Sequence, residues 1–213
     1  MKMKITIMGG TGYIGQGILS ALVQDRNNYE LTSLSRSGAQ NHTNLVDSVT
    51  YLAVDLTKPG HWQTVIDSSD VVVDCVGIFL PSKRKNTSYQ KNSIDPAKKV
   101  IDELMAKTTQ TRFVFIAANN APWPLKNYMK AKEEVIDYGV EKLDNRFVAV
   151  YPGMVYDKQR MLNFIPGVLL HFAIYGLHLN FLKKYRPVKR QKFNQEMLQI
   201  IKQQSSVLTN KIS

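Results

Sequence analysis

The stretch ITIMGGTGYIGQG, residues 5–17, decides the fold of this chain. It opens with the apolar run Ile5–Met8, which predicts a buried strand, and continues into Tyr13–Val23, whose apolar periodicity predicts a helix. Three glycines at a spacing of three follow the strand, Gly9 and Gly12 in the turn and Gly15 in the first turn of the predicted helix. Such a turn lets the backbone approach a pyrophosphate at a helix N-terminus. The stretch therefore predicts dinucleotide binding, with a purely structural glycine turn as the alternative.

Strand-like and helix-like segments continue to alternate over the first 150 or so residues. Strands are predicted at Leu31–Ser35, Val49–Val54, Val71–Val76, Phe113–Ala117 and Phe147–Tyr151, and helices at Ile94–Lys107 and Leu125–Tyr138, the last ending at Gly139. This alternation implies a doubly wound parallel sheet with helices on both faces, the α/β Rossmann fold. We expect residues 1–158 to form the NAD(P)-binding domain and residues 159–213 to form a small C-terminal extension packed on it.

The composition is ordinary for a soluble globular protein: 44% of the 213 residues are hydrophobic and 21% are charged. The single cysteine, Cys75, has no partner for an internal disulfide, which fits a reducing compartment. The apolar run that begins at Ile5 is too short for the core of a signal peptide. We therefore expect a cytoplasmic protein.

The charge is unusual, with a net value of +11. The last 31 residues carry eight basic residues against one acid, Glu196, and a second basic cluster lies at 83–85. Basic surfaces bind nucleic acid, anionic lipid or phosphorylated ligands, or are simply solvated. No zinc-ligand spacing and no aromatic RNA-binding pattern accompanies the charge, so we expect no nucleic-acid partner. Weak binding to an anionic surface stays open.

Residues 161–182, MLNFIPGVLLHFAIYGLHLNFL, form an apolar stretch about as long as a membrane span. Pro166, Gly167 and four scattered Asn and His residues argue against a spanning helix, because polar groups are costly in hydrocarbon. We expect an apolar cover over a substrate pocket, with a membrane-surface or dimer-forming helix as the alternatives. His171 and His178 are too few to hold a metal, and we expect none.

The second and third predicted strands end in residues suited to a nucleotide. Ser35-Arg36-Ser37 stands where an NAD-preferring protein has an acid for the ribose hydroxyls, and a guanidinium with hydroxyls can hold a 2′-phosphate. This favours NADP as the cofactor, with NAD as the alternative. Asp55 is placed to meet the adenine amino group or to cap a helix.

Tyr128 and Lys132 are four residues apart on a predicted helix and so share one face. A lysine ammonium beside a phenol favours the phenolate, which lowers the phenol pKa and lets it exchange a proton with a carbonyl or hydroxyl. The spacing alone is common in proteins. The pair indicates a catalytic site because it lies in the helix that follows the fifth strand of a dinucleotide-binding fold.

Taken together, these residues resemble the short-chain dehydrogenase/reductase superfamily, and in particular its atypical NAD(P)-binding branch. That branch includes NmrA-like proteins, small NADH-flavin-reductase-like proteins and relatives of the NAD-dependent epimerases and dehydratases. The resemblance covers about residues 3–158 and rests on motifs in the family's order: GGTGYIG at 9–15, Arg36, VDL at 54–56, DCVG at 74–77, Asn92, FVFIAA at 113–118, Tyr128-x-x-x-Lys132 and YPGMVYD at 151–157.

The resemblance implies roles for the matching residues. Tyr128 would be the general acid/base, and Lys132 would also bond the nicotinamide ribose. The remaining cofactor contacts implied are Gly9, Thr11, Gly12, Tyr13, Ile14 and Gly15 in the turn, Arg36, Asp55 and Leu56 after the second and third strands, Val76 and Gly77 along the adenosine half, and Pro152, Met154 and Val155 beside the nicotinamide.

One departure from the family bears on catalysis. The serine pair that normally ends the fifth strand, and polarises the substrate carbonyl, is replaced by Ala117 and Ala118. We expect the amide of Asn119 to substitute, since amide donors stabilise oxyanions elsewhere. The leading hypothesis is an NADP(H)-dependent oxidoreductase acting on a small carbonyl, quinone or flavin-like acceptor. The alternative is a non-enzymatic NADP(H)-sensing regulator of the NmrA-like type.

Overall fold

A six-stranded parallel sheet forms the centre of the protein in the computed structural model, which describes residues 1–39, 45–107, 109–158 and 161–212. The strands are β1 Met3–Met8, β2 Tyr29–Ser35, β3 Thr50–Ala53, β4 Val71–Asp74, β5 Arg112–Ile116 and β6 Phe147–Val150. Their order in the sheet is β3-β2-β1-β4-β5-β6, and every neighbouring pair is parallel. The predicted doubly wound Rossmann fold is confirmed.

Helices connect the strands and cover both faces of the sheet. They are α1 Tyr13–Val23, α2 Trp62–Asp67, α3 Asp95–Ala106, α4 Lys126–Leu143, α5 Met161–Tyr175 and α6 Arg190–Ile201. A small parallel pair, β7 Val155–Tyr156 and β8 Val188–Lys189, precedes α5 and α6 respectively. The predicted bounds of α1 agree with the structure at both ends.

Two apolar clusters hold the layers together, one on each face of the sheet. Along β4 the side chains alternate between them, with Val71 and Val73 in the cluster beneath α1 and α6 and Val72 in the cluster beneath α2, α3 and α4. All four residues of β4 are buried, as a central parallel strand requires. The continuous β-branched sequence of this strand is thus explained by its two covered faces.

Helix α4 continues past Gly139, so the prediction that this glycine ends the helix is wrong. Gly139 is buried, and a Cβ there would collide with the Phe147 ring of β6. The glycine therefore allows close packing of α4 on the sheet. The helix ends instead after Leu143.

Helix α6 joins the C-terminal part of the chain to the first helix. Its buried residues Phe193 and Met197 lie in the same apolar cluster as α1. At its start, the Arg190 guanidinium lies 4.4 Å from the centroid of the Tyr13 ring and donates to the Tyr13 carbonyl at 2.7 Å and to the Asp157 carboxylate at 3.1 Å. A Cβ on Gly17 would meet the Arg190 side chain, so this glycine permits the close crossing of α1 and α6.

Helix α5 leaves much of its apolar surface exposed, and its expected role as a cover over a substrate pocket stays a prediction. Leu169 is 63% exposed and Phe172 59% exposed, whereas only Gly167 and Ile174 among its described side chains are buried. Within the described part of the chain, no helix combines the length and apolarity that crossing a membrane requires.

A single buried amide fastens the C-terminal tail to the sheet. Asn119, immediately beyond β5 and 1% exposed, donates from Nδ2 to the carbonyls of Lys184 at 2.6 Å and Ile212 at 2.9 Å. Its Oδ1 accepts from the Ile212 N–H at 2.7 Å. One side chain thus joins segments that are 65 and 93 residues away in the chain.

Replacing Asn119 with alanine should destabilise the protein by about 2–4 kcal/mol, because three hydrogen bonds are lost and buried carbonyls are left without donors. Urea denaturation measures the change in free energy of unfolding. Asn120→Ala, the matched control at the half-exposed neighbouring position, should change it by less than about 0.5 kcal/mol. Equal stability of the two variants would show that this amide does not hold the tail.

Candidate functional site

The glycine turn brings three backbone segments into contact at the carboxyl ends of β1 and β4. Gly9 has a positive φ of 73°, and a Cβ there would lie 3.2 Å from the Cys75 carbonyl group. A Cβ on Gly15 would lie 2.5 Å from the Gly9 carbonyl oxygen, closer than any side chain tolerates. Both positions therefore require glycine, one for its backbone angle and one for the close approach of α1 to the sheet.

The N-terminus of α1 is built to accept an anion. Gly12 occupies the N-cap position and can supply no capping side chain, and the first turn holds no acidic residue. The turn is fixed internally, since the Gly12 N–H donates to the Gly9 carbonyl at 2.9 Å and Gln16 Nε2 donates to the Thr11 carbonyl at 3.1 Å. A phosphate at this position would meet backbone N–H groups and the positive end of the helix. The cradle thus fits the pyrophosphate of a dinucleotide.

Two of the side chains predicted to line the cofactor at this turn, Tyr13 and Ile14, pack against the protein core. Tyr13 and Ile14 are half-buried and pack against the apolar cluster beneath α1, with the Tyr13 ring under Arg190. Their backbone belongs to the turn and first turn of α1, while their side chains point toward the core cluster. Contacts of Thr11, Tyr13 and Ile14 with a cofactor remain predictions.

The residues after β2 and β3 lie at the same edge of the sheet. Arg36 is exposed directly beyond β2, and Ser35 Oγ donates to the Gly38 carbonyl at 3.3 Å. Asp55 Oδ1 accepts from the N–H of Thr57 at 2.9 Å and from its hydroxyl at 2.6 Å, and the hydroxyl bond above all lowers the Asp55 pKa. Asp55 therefore closes its own turn, and the expectation that it caps a helix is wrong, because α2 begins at Trp62.

Leu56, predicted as a cofactor contact, is only 7% exposed and lies in the apolar cluster beneath α2, α3 and α4. Val155 is likewise 7% exposed, and its strand pairs with Val188 of β8. The side chains of both belong to the core, so any cofactor contact would have to come from their backbone. Met154, 37% exposed, is the accessible side chain of the predicted Pro152–Val155 contact segment.

Asp74, at the end of β4, is a buried carboxyl that the sequence reasoning missed. It is 1% exposed, its Oδ1 accepts from the Val76 N–H at 2.7 Å, and its Oδ2 has no hydrogen-bond partner among the described residues. Burial raises the Asp74 pKa to about 6, against the opposing effects of Lys132 and of the Val76 N–H. The sequence did contain a signal for this carboxyl, because an acid at the end of a run of β-branched residues indicates a buried, functional position.

Lys132 lies at the centre of this edge, 8% exposed. Its Nζ donates to the Ile116 carbonyl at 2.7 Å and lies 4.5 Å from the centroid of the Phe115 ring. Burial lowers the Lys132 pKa, and the nearby Asp74 opposes this effect by favouring the ammonium. A Cβ on Gly77, whose φ is 156°, would lie 3.8 Å from Nζ, so the lysine and the segment after β4 are neighbours.

Tyr128 lies one turn before Lys132 on α4, as the spacing predicts, but its electrostatics differ from the expectation. Its ring packs edge-on against Phe79 with centroids 5.4 Å apart and lies 6.3 Å from the Tyr89 ring. Burial raises the Tyr128 pKa to about 12, and the Lys132 ammonium, 5.9 Å from the ring centroid, does not reverse this. The expected lowering of the phenol pKa is therefore wrong, and the phenol is protonated at neutral pH.

The expectation that Asn119 supplies the missing oxyanion donor is also wrong. Both hydrogens of its amide are donated to main-chain carbonyls of the tail. The Asn119 N–H itself donates to the Pro152 carbonyl at 2.8 Å. Asn119 thus has no donor left for a substrate.

The site so described combines an anion-binding glycine turn with a tyrosine and a lysine at one edge of a doubly wound sheet. Comparison with known proteins places this arrangement in a family. The model of the NAD(P)H-binding family matches residues 9–165, which span the glycine turn, Arg36, Tyr128 and Lys132.

A curated protein and several solved structures are also similar to this chain. MIOREX complex component 2 of Saccharomyces cerevisiae is 25% identical over 227 residues, covering 82% of this chain and 80% of that protein. UDP-glucuronic acid 4-epimerase of Bacillus cereus, solved in complex with NAD, has a TM-score of 0.69 at 13% identity and covers 97% of this chain and 75% of its own. A short chain dehydrogenase family protein of Francisella tularensis subsp. tularensis SCHU S4 has a TM-score of 0.59 at 15% identity, with 94% and 91% covered.

At these identities the solved structures show the fold alone, whereas the family match covers residues 9–165, most of the chain, and includes the glycine turn, Tyr128 and Lys132. The chain belongs to the NAD(P)H-binding family.

Proposed function

We propose that this protein is an NADP(H)-dependent oxidoreductase that reduces a quinone, a flavin-like compound or another small carbonyl acceptor. The observation that carries the proposal is the position of Tyr128 and Lys132 at the same sheet edge as the glycine turn. Lys132 Nζ lies beside Gly77, which follows the strand next to β1. A bound dinucleotide that enters at α1 would extend along this edge toward both side chains.

The bound cofactor would supply the hydride, and the protein would supply a proton and orientation. The Tyr128 phenol is protonated at neutral pH, as a phenol with a pKa of 10 or above is, so it would donate its proton to an acceptor atom as that atom gains electron density. Lys132 would hold the nicotinamide ribose, as the resemblance to the superfamily implies. Asp74 favours the charged form of Lys132 and so supports this role. The reductive direction suits the site, since the reverse reaction needs a phenolate.

The missing serine favours acceptors that need little polarisation. Ala118 carries no hydroxyl, and the Asn119 amide is used by the tail. A ketone depends on a donor that stabilises its developing oxyanion, whereas a quinone or a flavin delocalises the incoming charge over its own ring system. We therefore favour a quinone or flavin-like acceptor over a simple ketone.

The same observation supports a second candidate, a non-enzymatic NADP(H)-sensing regulator. Such a protein needs the cofactor cradle and Arg36 but no polarising donor. The two functions differ in one property: the regulator would bind NADPH without oxidising it in the presence of any acceptor.

Tyr128→Phe should lower NADPH oxidation with a quinone or flavin acceptor by about 10²–10⁴-fold while cofactor affinity stays the same, because only the proton donor is removed. Steady-state kinetics and calorimetric titration measure the two properties. Tyr138→Phe is the matched control on the same helix, since Tyr138 bonds Asp102 rather than the site. Unchanged turnover in the Tyr128 variant would end the proposed mechanism, and cofactor binding without wild-type turnover would favour the regulator.

Arg36→Ala should weaken NADPH binding by about 10–100-fold and leave NADH binding unchanged, since a charge-assisted bond to the 2′-phosphate contributes about 1.5–3 kcal/mol. Calorimetric titration with both nucleotides measures the preference. Arg26→Ala is the matched control, because this exposed arginine precedes β2 and so lies at the other end of the same strand. An unchanged ratio of the two affinities would remove Arg36 as the NADP determinant.

The stability of the cofactor-free protein should fall as the pH rises from about 4 to about 6. Asp74 titrates at about 6 when folded against an ordinary 3.8, so the folded state binds this proton more tightly than the unfolded state. The resulting stabilisation, up to about 3 kcal/mol, is present below about pH 4 and is lost as the pH passes 6. Urea denaturation of wild type and Asp74→Asn across this range measures it.

The Asp74→Asn variant should show a smaller loss of stability over this range than wild type, because its side chain carries no titrating proton. Asp137→Asn, an exposed substitution on α4, should follow the wild-type profile. Parallel profiles for wild type and Asp74→Asn would contradict the raised pKa.

A further inference from the structure

Helix α5 presents an apolar face to solvent. Ile165 is 54% exposed, Val168 42%, Leu169 63% and Phe172 59%, and the spacing of three and four residues puts them on one side of the helix. On the other side a Cβ on Gly167 would collide with the Tyr156 ring, so this side is packed against the protein. Soluble proteins rarely leave a contiguous apolar face of this kind open unless it binds something.

A second set of exposed apolar side chains follows β4 and β5. Phe79 is 58% exposed, Leu80 60% and Trp123 87%. Phe79 and Leu80 precede the exposed basic run 83–85 by a few residues, and the segment after α5 repeats this order, with Leu177 and Phe181 before Lys183.

Both sets lie at the carboxyl edge of the sheet, around the candidate site. Phe79 packs against Tyr128 of the site. The segment that follows α5 reaches the end of β5, because the Lys184 carbonyl accepts from Asn119 at 2.6 Å. The apolar side chains and the basic runs therefore share one end of the molecule.

This end is free of acidic residues over two long segments, 75–94 and 158–195. Those segments carry twelve basic residues, among them the exposed Lys83, Arg84, Lys85 and Lys183. Within the described part of the chain, none of these four exposed residues has an ion-pair partner. The exposed apolar side chains of α5 and of residues 79–80 therefore lie in segments that also carry exposed basic residues without acidic partners among the described residues.

We propose that this end of the protein docks on an anionic lipid bilayer. The apolar side chains of α5 and of residues 79–80 enter the boundary between headgroups and acyl chains, and the basic runs pair with anionic headgroups. A second copy of the chain is a poorer occupant, because a symmetric dimer through this end would bring like-charged clusters together. Docking would direct the candidate site toward molecules dissolved in the membrane.

Co-sedimentation with vesicles tests the proposal. The full chain should bind vesicles of phosphatidylglycerol and phosphatidylcholine, bind phosphatidylcholine alone at least about tenfold more weakly, and lose affinity as salt rises. Lys83→Glu with Arg84→Glu should weaken binding at least about tenfold, since each basic residue near the surface adds attraction. The matched control is Lys2→Glu with Arg26→Glu, two exposed residues at the opposite edge, which should bind like wild type.

The apolar contribution has its own pair of variants. Leu169→Glu with Phe172→Glu should weaken vesicle binding at least about tenfold, whereas Met105→Glu should not. Met105 is 47% exposed at the end of α3, which is the amino edge of the sheet. Unchanged NADPH affinity and circular dichroism identify variants that remain folded, and all substituted side chains are exposed or half-exposed.

Three results would overturn the proposal. The first is that the wild type does not bind anionic vesicles, and the second is that the variants bind as well as their controls. The third is that Leu169→Glu with Phe172→Glu converts a dimer to a monomer in sedimentation equilibrium while vesicle binding stays the same. The last result would assign the apolar face to a second copy of the chain. None of these outcomes depends on turnover, so the proposal and the proposed function fail separately.

Discussion

The close approach of three backbone segments at the ends of β1 and β4 is the constraint on which the other parts of the structure depend. Gly15 lies against Gly9, and Gly9 lies against Cys75, at distances that admit no side chain. Because of this contact, α1 starts directly on the sheet and points its N-terminus into the crevice between β1 and β4. The strand order reverses at this crevice, which is where doubly wound folds bind their ligands.

Local signals in the sequence were sufficient for the parts of the fold and site that depend on neighbouring residues. The β-branched run Val71–Val73 marked a strand covered on both faces, and the spacing of Tyr128 and Lys132 put them on one helix face. The predictions that proved wrong concern residues whose partners are far away in the chain. Gly139 was predicted to end the helix, but it is a glycine because it packs against the Phe147 ring. Asn119 was predicted to be a catalytic donor, but its amide is bonded to the C-terminal tail, which the local sequence does not show.

The site combines a tyrosine that is kept neutral with a lysine whose charge depends on one carboxyl. Burial pushes the pKa values of Tyr128 and Asp74 upward and that of Lys132 downward, so each group tends toward its neutral form. Asp74 and Lys132 counter this tendency in each other. Tyr128 gains no comparable help from Lys132, so burial leaves its phenol a weaker acid than an exposed tyrosine, and the proposed proton transfer depends on the acceptor becoming strongly basic as it takes the hydride.

The basic residues along the carboxyl edge fall into two groups, one beside the proposed cofactor site and one in the acid-free segments. Arg36 follows β2 and the N-terminus of α1 follows β1, on the side of the sheet where the proposed nucleotide would enter. The acid-free segments follow β4 and the strands beyond it, on the opposite side of the crevice. Under the two proposals, a 2′-phosphate and an anionic surface are recognised by different basic residues, since Arg36 follows β2, whereas Lys83 follows β4 and Lys183 follows α5.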